Sequence, residues 1–443
     1  MTEQPAATPE APDAAQKRKK RELTAETRQA IKLCREGNEL YAEDIQAAAA
    51  KYREAVQVDP EYIEGFYNLG VALRDLEQNE EATKTFEHVI EMQDLAPKAF
   101  NNLALLQCRT QDWDGAEANY RKAIEQHFQY ATAHFNLGML LCRLGRYEEG
   151  FRECEWRWQT PEFTPVRCLQ TRWTGNPFAG TLLVHTEQGI GDTIQFMRFL
   201  PEIRKRVGKM ILFCPENLHC LFDESKAVDD LRDPGQLDLG DFQHYLPLMS
   251  APFALGTTLD SIPNESPYLF PEQRTVDLGP SHVPDAKLKV GISWGGSPTH
   301  AYDKHRSCKL EALSPLLDVP GVAFYSLQMG PQVDQIQQLS PEHQAKIRDV
   351  ADLQKDMADA AAIVKQLDLV ISVDTAVIHL TGALACPGWA LLAVNADWRW
   401  LEDREDTPWY PSLKLFRQRQ LDDWGELVGR VKTALEAEVG KRG

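Results

Sequence analysis

From about residue 24 to residue 158 the chain repeats itself with a period of 34, and no other feature restricts its fold so tightly. Aligned copies set Phe66, Leu69, Gly70, Ala82 and Phe86 above Phe100, Leu103, Ala104, Ala116 and Tyr120, and above His134, Leu137, Gly138, Gly150 and Cys154. An earlier, slightly lengthened copy contributes Gly37, Ala48, Tyr52, Ala55 and Pro60. Small residues recurring at fixed places let two helices approach closely, and large ones fill the gap between neighbouring pairs. Each copy reads as a helix pair that must stack on the next to bury its apolar face.

The pattern resembles the tetratricopeptide repeat. Arrays of this kind curve into an extended groove, so a protein or peptide partner is expected there. Capping or dimerising the following domain is the other role open to it, and a homodimer would follow. Residues 1–22 are rich in Ala, Pro, Glu and Gln and end in Lys17-Arg18-Lys19-Lys20-Arg21. They bury too little to fold and read as a disordered tail with a solvated charge run. The repeats, assigned to 23–158, end in Cys154-Glu155-Trp156-Arg157-Trp158, and a Pro-containing junction over 159–179 follows. Trp156, Trp158 and Trp173 are expected to pack the array on the next domain.

From residue 180 the chain alternates strand and helix. In Leu182 to Phe196 an apolar run passes through Gln188-Gly189-Ile190-Gly191-Asp192 into a helical pattern: strand, tight turn, helix. The glycines admit a close ligand, and the helix start offers unpaired N–H groups. Asp192 is either an N-cap or a carboxylate where open α/β sheets bind their ligands, at the carboxyl end of a strand. Strands at Lys209 to Pro215 and Gln243 to Leu248 complete an N-terminal Rossmann-like half over 180–272, and the polar Pro280 and Pro284 stretch reads as a linker. The C-terminal half, 287–440, has strands opening at Lys289 and over Val322 to Leu327 and Leu369 to Val373, with helices over Met357 to Lys365, Thr375 to Ala385 and Asp423 to Val439. The fold class is an α-helical repeat solenoid followed by an α/β pair of Rossmann-like halves facing a cleft.

Three segments of the second half converge at its strand ends. Ser293-Trp294-Gly295-Gly296-Ser297 is a Gly-rich turn suited to phosphate oxygens. Lys304-His305-Arg306-Ser307 offers cations to a departing diphosphate, with a solvated loop the alternative. Val373-Asp374-Thr375 runs a strand into a helix whose Thr375 and His379 share one face beside the anion-favouring N-terminus.

Composition narrows the classes. A formal charge of −18 argues against general nucleic-acid binding, which needs a cationic surface. No run nears the roughly 20 apolar residues of a membrane span, and Met1 to Gln16 lacks a secretion signal, so a cytoplasmic location is expected. Nine scattered cysteines without a C-x-x-C pair suggest neither metal nor disulfide.

Residues 154–420 resemble the GT-B glycosyltransferases related to the heptosyltransferases (glycosyltransferase family 9-like), in the branch fused behind tetratricopeptide repeats. The resemblance rests on Glu155-Trp156-Arg157-Trp158, Glu187 to Phe196, Gly291 to Gly296, His305-Arg306-Ser307, Ser372 to Thr375 with His379, and Asp397-Trp398-Arg399-Trp400 through Trp409-Tyr410-Pro411. It implies an inverting, metal-independent glycosyltransferase with no cofactor beyond its nucleotide-sugar substrate, and with Asp192 as general base. It places the donor among Gln188, Gly189, Gly191, Ser293, Gly295, Gly296, Lys304, Arg306, Asp374, Thr375 and His379. The acceptor it implies is a protein such as flagellin, or a glycan. Relatives usually carry Pro-Val-Trp and a later proline where this chain reads Pro387-Gly388-Trp389 to Ala396; Gly388 is expected to weaken a strand there and the missing proline to free a loop. A repeat scaffold with a degenerate nucleotide-binding domain is the competing reading.

Overall fold

A computed structural model describes residues 24–163, 168–222, 227–233, 240–298 and 302–442; the expected disordered tail lies outside them. Two compact units divide near residue 128. Among the described residues the first holds six helices: α1 (Ala25–Leu40), α2 (Ile45–Val58), α3 (Ile63–Asp75), α4 (Asn79–Met92), α5 (Pro97–Arg109) and α6 (Trp113–Gln126). Thr24, Asp44 and Asp112 cap α1, α2 and α6 by accepting from backbone N–H groups of the first turn, satisfying donors that the helix cannot. Each helix packs on the next. Ala48, Ala82 and Ala116 are wholly buried beside Tyr52, Phe86 and Tyr120, which is the small-against-large pairing that the period predicts.

The second unit opens with one more pair, α7 (Ala131–Arg143) and α8 (Tyr147–Cys154), and a tight helical segment, Glu155–Gln159. Trp156 stacks on His134 of α7 at 4.0 Å, and Trp158 meets His185 edge-on at 6.5 Å. These aromatics join the last pair to the sheet that follows.

That sheet comprises β1 (Thr171–Arg172), β2 (Phe178–His185), β3 (Val207–Phe213), β4 (Asp230–Arg232) and β5 (His244–Pro247) in the order β1-β5-β2-β3-β4, all parallel. Leu182, Val184, Met210 and Leu212 bury one face in the core shared with α9 (Ile190–Phe196) and α10 (Leu200–Arg204); α11 (Ala251–Leu255) follows β5. The alternate residues Leu183, Ile211 and Phe213 form a smaller cluster, as period-two strands require.

The second sheet runs β11-β10-β9-β6-β7-β8, again all parallel. Its strands are β6 (Leu288–Ser293), β7 (Val322–Ser326), β8 (Ile347–Asp349), β9 (Leu369–Val373), β10 (Gly388–Leu392) and β11 (Leu413–Arg417). Its helices are α12 (Asp303–Arg306), α13 (Leu310–Leu317), α14 (Pro341–Gln344), α15 (Met357–Val364), α16 (Ala376–Ala383) and α17 (Trp424–Gly440). Near-continuous apolar strands such as β7 and β9 are buried throughout, as sheets covered on both faces demand. Two Rossmann-like halves after a helical array are the α/β GT-B arrangement.

The expected weakness at Gly388 is corrected. Gly388 opens β10, which pairs with β9 and β11 along its length. A Cβ there would stand 2.6 Å from Leu413 Cδ2 and 3.0 Å from Thr381 Cγ2, so the glycine serves close packing.

Residues 397–411 form a strap that leaves the second sheet and packs against α7, α8 and α9. Trp409 lies 6.2 Å from Phe196 and Trp398 5.7 Å from Phe151, ring to ring. The Trp409 indole N–H donates to the Tyr147 hydroxyl at 2.9 Å, and Arg143 pairs with Glu402 at 2.6 Å. No helix among the described residues is long and apolar enough to cross a membrane.

Candidate functional site

The turn after β2 is fixed from below. Glu187 is held by the Arg157 guanidinium at 2.9 Å and accepts the Met249 N–H at 3.2 Å; Arg157 also pairs with Glu155 at 2.8 Å. Burial pushes the Glu187 carboxyl up, and Arg157 opposes it. The chain then turns through Gln188 in the left-handed region, φ 63°, and Gly189 is the N-cap of α9.

Asp192 is therefore not the N-cap but the third residue of the helix. Its Oδ2 accepts the Gly189 N–H at 3.2 Å, a reciprocal cap from inside the first turn. Its Oδ1 accepts from the Arg399 guanidinium of the strap at 2.5 Å. The two oxygens of one carboxylate thus have separate partners, the turn backbone and the strap. The Asp192 side chain keeps 21% of its surface exposed while that of Arg399 keeps 9%, so the carboxylate is the accessible partner.

The second half meets this turn through α16. A Cβ on Gly191 would stand 2.8 Å from His379 Cδ2, so glycine is what lets the two helix starts touch. His379 is buried, with Nδ1 2.8 Å from the Tyr410 hydroxyl and Nε2 3.5 Å from Asp374 Oδ1. An ionised carboxylate only accepts, so Nε2–H faces Asp374 and, in the neutral ring, Nδ1 accepts from Tyr410. The Trp400 indole donates to the other Asp374 oxygen at 2.9 Å. Burial acts to raise the Asp374 carboxyl, but the His379 hydrogen bond and charge, with Arg399 and Trp400, hold it down at about 2. Asp397, 3.0 Å from Arg399, goes the other way, raised by burial against the pull of Arg399. Thr375 is the N-cap of α16, its hydroxyl 3.1 Å from Ser372 Oγ.

The Gly-rich turn differs from its expected form. Gln328 Oε1 accepts from the Ser293 hydroxyl and from the N–H groups of Trp294 and Gly295 at 2.9 to 3.2 Å. The Gly296 N–H donates to Ser307 Oγ at 2.9 Å, and Ser307 donates to Asp303. Side chains thus occupy the N–H groups that were expected to face phosphate. Arg306 stands beside this turn, its NH2 2.6 Å from where a Gly296 Cβ would be, with Nε donating to Asp303 at 3.3 Å. Lys304 precedes it in the one-turn α12, and His305 pairs with Asp422.

The structure brings together Asp192, Gly191, Asp374, Thr375 and His379. Ser293, Gly295, Gly296 and Arg306 form a second cluster around Gln328 and Asp303. Gln188 and Gly189 lie exposed on the turn. Arg399 and Gln328 were assigned no role from sequence. Arg399 sits 207 positions from its partner, and the strap motif Asp397 to Trp400 was its one signal; Gln328 had none. No group of three or more His, Cys, Asp or Glu side chains placed for a metal ion occurs among the described residues.

Residues 38–99, 67–129 and 101–153 match the family model of the tetratricopeptide repeat, so these helix pairs are tetratricopeptide repeats. Protein FlbA of Caulobacter vibrioides is 25% identical over 85% of this chain and 73% of its own length. Among solved structures, YrrB, a TPR protein with an unusual peptide-binding site, is 20% identical over 32% of this chain and 77% of its own, with a TM-score of 0.27. A mutant Thermobaculum terrenum O-GlcNAc transferase spans 95% of this chain and 94% of its own at 12% identity, with a TM-score of 0.34. Likenesses this distant carry no activity over to this chain.

Proposed function

We propose that the protein is an inverting glycosyltransferase that moves a sugar from a nucleotide-sugar to a hydroxyl of a protein or glycan recruited by the repeats. The observation that carries this reading is the meeting of α9 and α16, one from each half, at the carboxyl ends of β2 and β9. Asp192 stands there with one partly exposed carboxylate. Asp192 takes the proton of the acceptor hydroxyl; that oxygen bonds to the anomeric carbon from the face opposite the leaving group; the bond to the diphosphate breaks and its electron pair leaves with the diphosphate. Arg306, Lys304 and the α16 N-terminus at Thr375 are the groups that would neutralise that charge, without calling on a metal. The motif resemblance supports the same assignment and suggests a flagellin-like acceptor.

The test is a thermal-shift screen against nucleoside diphosphates and their sugar conjugates, followed by transfer with the responding donor. A ligand at about 100 times its Kd stabilises by about 2.7 kcal/mol, which a melt resolves. Asp192→Asn is expected to lower transfer by about 10²–10⁴-fold. A loss under about tenfold removes Asp192 as base, and the absence of a shift with every nucleotide favours the scaffold reading instead.

A further inference from the structure

Arg399 grips two side chains of one helical turn. Its NH2 donates to Asp192 Oδ1 at 2.5 Å and its Nε to Gln195 Oε1, and Asp192 and Gln195, three apart on α9, share a face. Its NH1 reaches Asp397 at 3.0 Å. Gln195 is wholly buried, so its carbonyl is a fixed point rather than a solvated arm. The guanidinium fork makes these contacts in one plane, which an ammonium cannot reproduce.

The backbone that carries Arg399 is itself fixed. Trp398 and Trp409 flank it in the strap and pack on Phe196 of α9, at 6.3 and 6.2 Å. Arg399 therefore belongs to the second half in sequence and to the first half in packing. Its contact takes one carboxylate oxygen, the Gly189 N–H takes a lone pair of the other, and the orientation of the group is thereby set.

We infer that Arg399 is a positioning residue for Asp192, holding that carboxylate oriented toward an acceptor hydroxyl without itself touching the donor. The inference rests on the glycosyltransferase reading. The titratable and charged groups around the pair are Asp397 and Tyr410 from the strap, Asp374 at the end of β9 and His379 of α16. An unpaired cation would be costly at so buried a position, and here three carboxylates surround it. Charge and orientation are separable, because a lysine keeps the charge and loses the fork.

The experiment compares wild type, Arg399→Lys and Arg399→Gln in kcat and in KM for the donor, with thermal shift by the responding nucleoside diphosphate as the second readout. Arg399→Gln is expected to lose on the order of 10²-fold in kcat with KM for the donor little changed. Arg399→Lys, which keeps the charge and loses the fork, should lose kcat comparably; it carries the test if the glutamine variant does not fold. Both should keep the nucleotide shift. An unchanged kcat in Arg399→Gln overturns the inference, as does loss of the nucleotide shift in a folded variant, which would make Arg399 a donor ligand. A wild type that transfers no sugar overturns the glycosyltransferase reading itself, and this inference with it.

Discussion

Asp374 shows what the site costs to maintain. Its folded carboxyl sits at about 2 against an ordinary 3.8, so its partners contribute stability that is present above about pH 4 and is lost as pH falls toward 2. The difference is roughly 2 kcal/mol. Urea melts between pH 2 and 6 should show this loss in wild type, and Asp374→Asn should flatten it; an equal slope in the variant would mean that His379 does not hold the carboxylate. Gly191→Ala tests the contact between the halves. Its Cβ would press the His379 ring, and a misplacement of about 1 Å costs on the order of 10²-fold in rate. Transfer should fall with the melt little changed, whereas wild-type transfer would show that the ring yields freely. The two turns that carry these residues were legible because an apolar run passes straight into a helical pattern. Arg399 was not, since an ion pair between distant segments leaves no local pattern. The N–H groups of the Gly-rich turn were misjudged for the same reason: Gln328 reaches them from another strand end.

At the scale of elements, the long apolar strands declared themselves. The expected Leu369 to Val373 coincides with β9, and β7 differs by one residue from its expected Val322 to Leu327. The strands β1, β4 and β8, of two or three residues each, are too short for alternation to register. β10 was legible in composition but misjudged at Gly388, because propensity alone cannot see Leu413 across the strand pair. Gly388→Val should therefore destabilise by about 1–3 kcal/mol through overpacking, with a lower Tm. A variant as stable as wild type would show that the Leu413 side chain moves aside without cost.

At the scale of the molecule, the 34-residue period reads as one array, yet its last pair is built into the unit that follows. Tyr147 and Phe151 of α8 are buried in the same core as Phe196, Trp398 and Trp409. A chain beginning at residue 129 should melt cooperatively and respond to nucleotide; one beginning at residue 160 would expose that core face and should aggregate. Circular dichroism melts and light scattering decide between them, and equal behaviour of the two would place the boundary at the end of the repeats instead. No period could report this, because repeat sequences encode how pairs stack on each other and not what covers the final one.

The strap also bears on how such proteins can be recombined. Exchanging second halves between relatives by cutting at the 272–287 linker would import a foreign 397–411 segment into a resident first half, and with it foreign partners for Phe196, Tyr147 and Asp192. The strap also bonds Asp374 and His379 through Trp400 and Tyr410, so a working chimera has to match residues 397–411 to both halves at once, and neither half is inherited as a contiguous module.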